Sequence, residues 1–131
     1  MKNERGVSAV EFAIVLPLLI LVLFGIIEFS LILYDKAMLT NASREGARAG
    51  IVAQLPRVTP GEIDGIVKKY CQNHLVTFGS STPITTVIPG VNFGDDLTVS
   101  VAYTYDFLLL PKFGFSKDYL TLTATTVMRM E

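Results

Sequence analysis

The stretch "RGVSAVEFAIVLPLLILVLFGIIEFSLILYDKAMLTNASREGARAG", Arg5 to Gly50, decides how the rest is read. From Phe12 to Ile27 it carries no charge. Those residues would rise about 24 Å as a helix, short of the ~30 Å hydrocarbon core of a bilayer. Including Glu28 and "FSLILY" carries the apolar run to Tyr34 and gives an adequate span. Glu28 then lies below the outer membrane surface. A central acid costs roughly 2.5–3.5 kcal/mol on insertion scales. Two readings of Glu28 follow. Either it lies within a turn or two of the outer headgroups, or it is satisfied by another subunit's helix. A cleaved secretory signal fits poorly. The apolar run exceeds the usual 7–15 residues, and the small residues after it are spread along a helix instead of forming a cleavage box.

Beyond Tyr34 the helix has no reason to stop. Asp35 to Ala53 is rich in Ala and free of Pro, so one helix is expected from about Ser8 to Ala53, until Pro56 ends it. Pro17, inside the span, removes a backbone hydrogen bond and is expected to kink or loosen the helix. Ala42, Gly46 and Gly50 recur every four residues. Such a stripe admits another backbone closely, either the chain's own sheet or a neighbouring subunit's helix. Glu45 stands three residues before Arg48, a spacing at which the two can pair along the helix; a contact from Arg44, Glu45 and Arg48 to a partner is the alternative.

The remainder reads as a small α+β head. "TPGE" at Thr59–Glu62 is a capping box with Pro at the first helical position. Ile63, Ile66, Val67, Tyr70 and His74 continue it as a helical stripe to about Leu75. "PITTVIPG" holds a short strand, placed at an edge by Pro83 and Pro89. Leu97, Val99, Val101, Tyr103, Tyr105 and Phe107 alternate with polar residues, the signature of a strand with one apolar face. Leu120 to Met130 alternates less cleanly, but its threonines favour a strand that pairs antiparallel with the previous one. The connector between them holds Leu108, Leu109, Leu110, Phe113 and Phe115. It is too apolar for a free loop, so it either packs under the sheet or forms an exposed contact patch. The fold class is therefore α+β: a long N-terminal transmembrane helix continuing as an arm, a short second helix and a small antiparallel β-sheet.

Composition narrows function. The chain has 131 residues, 11 basic and 12 acidic, for a net charge of -1. No basic stripe with interleaved aromatics predicts a nucleic-acid partner. The single cysteine, Cys71, cannot make an intramolecular disulfide; it is either a small buried thiol or an intermolecular link. The single histidine, His74, has no ligand cluster around it, so no metal and no cofactor are expected. No nucleophile–base set or phosphate-cradling loop points to an enzyme or to a small-molecule substrate.

The start of the chain resembles a prepilin signal of the type IV pilin superfamily. "MKNER" and Gly6 fit the charged leader, Val7 the first mature residue, Glu11 the fifth, and Phe12 follows it. The likeness narrows further. Val10-Glu11-Phe12 with Leu16-Pro17, Gly25 followed by Glu28-Phe29, and Arg44-Glu45-Gly46-Ala47-Arg48, in that order, resemble the TadE-like family of minor pseudopilins of the tight-adherence (Tad/Flp) pilus. The resemblance covers about the first 50 residues.

It implies a pilin-like fold and cleavage by a membrane prepilin peptidase between Gly6 and Val7. It implies a head outside the cytoplasm of a bacterium, on a single-pass anchor in the inner membrane. Positive charges flank the span on both sides, so topology rests on the resemblance and not on charge counting. It further implies that Glu11 pairs with a neighbouring subunit's free N-terminal amine; a helix-start acid favoured by the helix dipole is the plainer account. The expected partners are the membrane, the peptidase, other pilins and pseudopilins and the assembly machinery. The expected segments are a leader (1–6), a transmembrane helix (7–34), a helical arm (35–55) and a head (56–131). An uncleaved single-pass anchor carrying a small interaction domain is the alternative function.

Overall fold

The computed structural model describes residues 2–108 and 119–131. Helix α1 runs unbroken from Lys2 to Ile51, with Pro17 inside it. It begins six residues before the expected start at Ser8, because "KNERG" contains nothing that forbids a helix. It ends two residues before Ala53, where Gln54 N–H turns back to the Val52 carbonyl at 3.0 Å. Helix α2, Pro60–His74, opens on the capping box as read. The Thr59 hydroxyl accepts from Glu62 N–H at 3.3 Å, and the Glu62 carboxylate accepts from Thr59 N–H at 2.7 Å. Its buried stripe is Ile63, Val67 and Cys71. Ile66 and Tyr70 are only half-buried and His74 is exposed, so the inward face keeps Ile63 and Val67 of the expected stripe but turns toward Cys71 and away from His74. Cys71 sits where a small side chain fits between helix and sheet.

Three strands follow: β1, Ile84–Ile88; β2, Asp96–Asp106; β3, Tyr119–Arg129. They form one antiparallel sheet in the order β1-β2-β3. The edge position of β1 and the antiparallel β2–β3 pair agree with the sequence. The turn into β2 is built by Asp95, whose carboxylate accepts from Asn92 N–H at 2.7 Å and Val91 N–H at 3.1 Å, with Gly94 at φ +85°. Only a residue without a Cβ adopts that φ freely.

The inner face of the sheet packs on α1 and α2. Leu97, Val99, Val101, Tyr103 and Tyr105 of β2 are all buried, as the alternation requires. Leu122 and Ala124 of β3 join them, with Leu39, Ala42 and Ala47 of α1 beneath. The outer face is wet and rich in threonine. In the apolar connector only Leu108 is described; Leu109, Leu110, Phe113 and Phe115 lie outside the described residues.

Burial along α1 is sharply divided. Residues 6–20 are all exposed, and nothing stands within 4 Å of where a Cβ of Gly6 or Gly25 would be. This part is long and apolar enough to cross a membrane, and nothing in the head covers it. The first buried residue is Glu28. From there Asp35, Leu39, Ala42, Gly46 and Gly50 continue one buried stripe, with the seven-residue spacings that keep positions on one helix face. The head therefore meets the helix from Glu28 onward.

Candidate functional site

The residues singled out from sequence fall into three places on α1. Gly6, Val7, Glu11 and Phe12 are exposed in the free part of the helix. The structure brings none of the head near them; Glu11 precedes Glu28 by about 25 Å along the axis.

Glu28 lies at the foot of the head and is 2% exposed. Leu108 N–H, just past the end of β2, donates to its Oε1. The sequence offered headgroups or another subunit as the partner for this acid. The structure supplies a third, the chain's own backbone. A strand end has N–H groups that no ladder satisfies, and a carboxylate is their strongest acceptor.

Asp35 was not singled out from sequence, although it stands two helical turns beyond Glu28 on the same face. That spacing was the signal that could have found it. Its side chain is fully buried, and Val76 N–H, just past the C-cap of α2, donates to Oδ1 at 2.9 Å. Two carboxylates of one helix thus tie down two loose ends of the head. Their surroundings differ in one respect: Asp35 Oδ2 is buried without a hydrogen-bond partner, and so is the Tyr105 hydroxyl. Burial pushes the Asp35 carboxyl above its ordinary value, with the Val76 N–H opposing. Burial, then the charges of Glu28 and Asp35 and the neighbouring Tyr103, push the Tyr105 phenol up to about 12.

A raised carboxyl pKa means that the fold prefers the neutral acid. That contribution is complete below the unfolded value, near 3.9, and is lost as pH rises through the higher folded value. Asparagine is permanently neutral. Its oxygen can still accept from Val76 N–H, and its amide places a donor where Oδ2 has none. Asp35→Asn is therefore expected to match wild type at pH 4 and to exceed it at pH 7 by roughly 1 kcal/mol, the low end of the penalty for a buried unsatisfied polar atom. Urea denaturation of the full chain in detergent at the two pH values checks this. A variant weaker than wild type at pH 7 would mean that the ionised carboxylate is required.

Higher on the helix, Gly46 and Gly50 meet the chain's own head. A Cβ on Gly46 would stand 2.6 Å from Val67 Cγ2, and one on Gly50 would stand 2.5 Å from Leu97 Cδ2. The small-residue stripe is thus filled by α2 and β2, not by β2 alone. Arg44, Glu45 and Arg48 flank it and are exposed. The two ion pairs among the described residues are Lys68–Asp64 and Arg129–Asp96; Glu45 and Arg48 do not form one, so the pairing read from their spacing is absent. Glu45 instead borders a shallow groove of about 320 Å³ against α2, lined by Ile66, Lys69, Tyr70, Asn73 and His74. Tyr70 and His74 stack there, ring centroids 4.2 Å apart.

Cys71 is 1% exposed, and burial pushes its thiol up to about 11. No second chain reaches that sulfur without opening α2, so the buried-thiol reading holds. Among the described residues no three His, Cys, Asp or Glu side chains are grouped to hold a metal ion.

Residues 6–48 match the family model of TadE-like proteins. This is the family that the motifs resemble, and the match ends at Arg48 of the last of them. No curated protein and no solved structure matches the chain.

Proposed function

We propose that this chain is a minor pseudopilin that takes part in assembly of the Tad (Flp) pilus, anchored by α1 and trimmed by a prepilin peptidase between Gly6 and Val7. The observation that carries the reading is the family match over residues 6–48. It starts at the glycine before the cut and contains Glu11, Phe12, Glu28 and the Arg44–Arg48 motif.

The structure is in keeping with this use. Apart from Ser8 and Glu11, the free part of α1 is apolar and exposed on all sides, so it requires lipid or other helices as surroundings. In a membrane lipid fills that role; in a filament the helices of other subunits replace it. Cleavage gives Val7 a free ammonium. The carboxylate of Glu11 on a neighbouring helix then exchanges an unpaired acid in a low dielectric for a charge pair, which favours assembly over the lone helix. The exposed guanidiniums of Arg44 and Arg48 stand above the membrane, ready for a second pseudopilin or the assembly machinery. The head faces away from the cytoplasm in this reading.

Intact mass of the protein purified from its native membrane tests it. The expected chain starts at Val7, and Gly6→Val should abolish that product while leaving the head's resistance to protease unchanged. Assembly-competent protein that retains "MKNERG" would overturn the pseudopilin reading and leave a plain single-pass anchor with an interaction domain.

A further inference from the structure

Hydrogen bonds between α1 and β3 fix the height of the head above the helix. Ser43 Oγ and Thr126 Oγ1 are 2.7 Å apart. One step lower, Lys36 Nζ donates to the Thr123 carbonyl. Between these two contacts the helix descends seven residues, about 10 Å, and the strand three residues, also about 10 Å. The two elements therefore run side by side at matched rates. A further three strand residues reach Leu120, and a further seven helical residues reach Phe29. The foot of β3 is thus level with Phe29, one residue past Glu28.

Bilayer thickness sets where lipid ends on the same scale. A span of about 20 residues counted from Val7 ends near Ile27; counted from Phe12 it ends near Leu31. Either way the outer boundary falls at the foot of the head. Several of the exposed residues found there are apolar or aromatic, among polar neighbours such as Ser30, Ser80 and Thr121. On the sheet side are Leu108 (40% exposed), Tyr119 (58%) and Leu120 (40%). Phe78 is also exposed; the residue after it, Gly79, stands against Asp106, which accepts from Ser81 and pairs in register with Tyr119. On the outer side of α1, Phe29, Leu33 and Tyr34 are exposed at the same height or just above it.

We infer that the foot of the head is a lipid-docking surface: Phe78, Leu108, Tyr119 and Leu120 rest in the interfacial layer of the bilayer that α1 crosses. The occupant follows from continuity, since these side chains extend the apolar surface of the span sideways at the depth where the hydrocarbon ends. Aromatic side chains with a polar tip, such as Tyr119, are favoured at that depth. Docking also explains how Glu28 tolerates its position. The head comes down to it and keeps it bonded to Leu108 N–H. The inference rests on α1 spanning the bilayer and is independent of cleavage or pilus assembly.

The chain contains no tryptophan, so single substitutions give clean reporters. Full-length Tyr119→Trp, Val91→Trp and Leu19→Trp are reconstituted in phosphatidylcholine–phosphatidylglycerol vesicles, with and without lipids brominated along the acyl chain. Val91 is 82% exposed at the opposite end of the head, in the β1–β2 turn, and is as free as residue 119 to seek lipid. Tyr119→Trp should emit to the blue of Val91→Trp and lose intensity to shallow bromines. Leu19→Trp should lose intensity to deep bromines, and Val91→Trp should respond to neither. Emission from Tyr119→Trp that matches Val91→Trp and ignores bromine would overturn the docking surface. Quenching of Val91→Trp would overturn it too, because the head would then lie on its side. An unquenched Leu19→Trp would overturn the span and the docking together.

Discussion

Val101→Asp is expected to unfold the head. Val101 is fully buried at the centre of β2, between helices α1 and α2 and the sheet. A carboxylate there has no cation to pair with among the core residues. Removing the partner of a buried charge costs about 3–5 kcal/mol, and an aspartate introduced without one faces a comparable penalty. A small domain has only about 5–15 kcal/mol to lose. Thr98→Asp, three residues away on the same strand, points to the wet face between Ile88 and Val127. It should stay within about 1 kcal/mol of wild type, as surface substitutions do. Limited proteolysis of the full chain in detergent separates them: Val101→Asp should lose its protected head fragment and Thr98→Asp should keep it. Equal protection would put the sheet's core on the other face.

Gly46→Leu should separate the head from the arm. Helix propensity alone favours the change by about 1 kcal/mol. The space does not. The new Cβ would meet Val67 Cγ2 at 2.6 Å and Ile63 Cγ2 at 3.2 Å. Val67 is β-branched and held to few rotamers, and both side chains are fully buried. Overpacking by a single methylene costs about 1–3 kcal/mol; here a whole isobutyl group must be placed where α1 and α2 already touch. Gly25→Leu is the control, because nothing stands within 4 Å of that Cβ. Both variants should insert in membranes, but only Gly46→Leu should expose the region after residue 56 to protease. Equal resistance would show that the arm and α2 are not held in this close approach.

These two predictions differ in how far the sequence foresaw them. The buried face of β2 was legible because a strand alternates by two, and apolar residues at every second position fix which side is dry; only Phe107, the sixth of them, falls past the end of the strand and is half-buried. The Thr59–Glu62 capping box was equally legible, because all of its contacts lie within four residues. The apolar length of α1 followed from composition, and the likeness to TadE-like proteins from its resemblance to that family's motifs over residues 6–48. The inward face of α2 was harder to read. A stripe that centres on Ile66, Tyr70 and His74 is as plausible as one of Ile63, Val67 and Cys71, and only the position of α1 decides between faces about 60° apart.

The partners of Glu28 and Asp35 lay beyond the sequence for a related reason. Leu108 is 80 residues from Glu28 and Val76 is 41 from Asp35. A backbone N–H leaves no mark in a sequence that a pattern could match to a carboxylate. Glu28 therefore read as an acid near the outer headgroups or one satisfied by another subunit's helix, and the Leu108 N–H that the fold brings to it was not foreseen. The sequence by itself determined the elements, the apolar span and the dry face of the sheet, because each follows from the periodicity or chemistry of neighbouring residues. Only the tertiary structure decided that Gly46 and Gly50 receive the chain's own head. It alone also decided that Arg44 and Arg48 stay free of it, and that the foot of the sheet comes level with Glu28. Those facts depend on the height and rotation at which three distant segments pack on one helix, and that geometry is set by filling voids and satisfying buried polar groups across all of them at once.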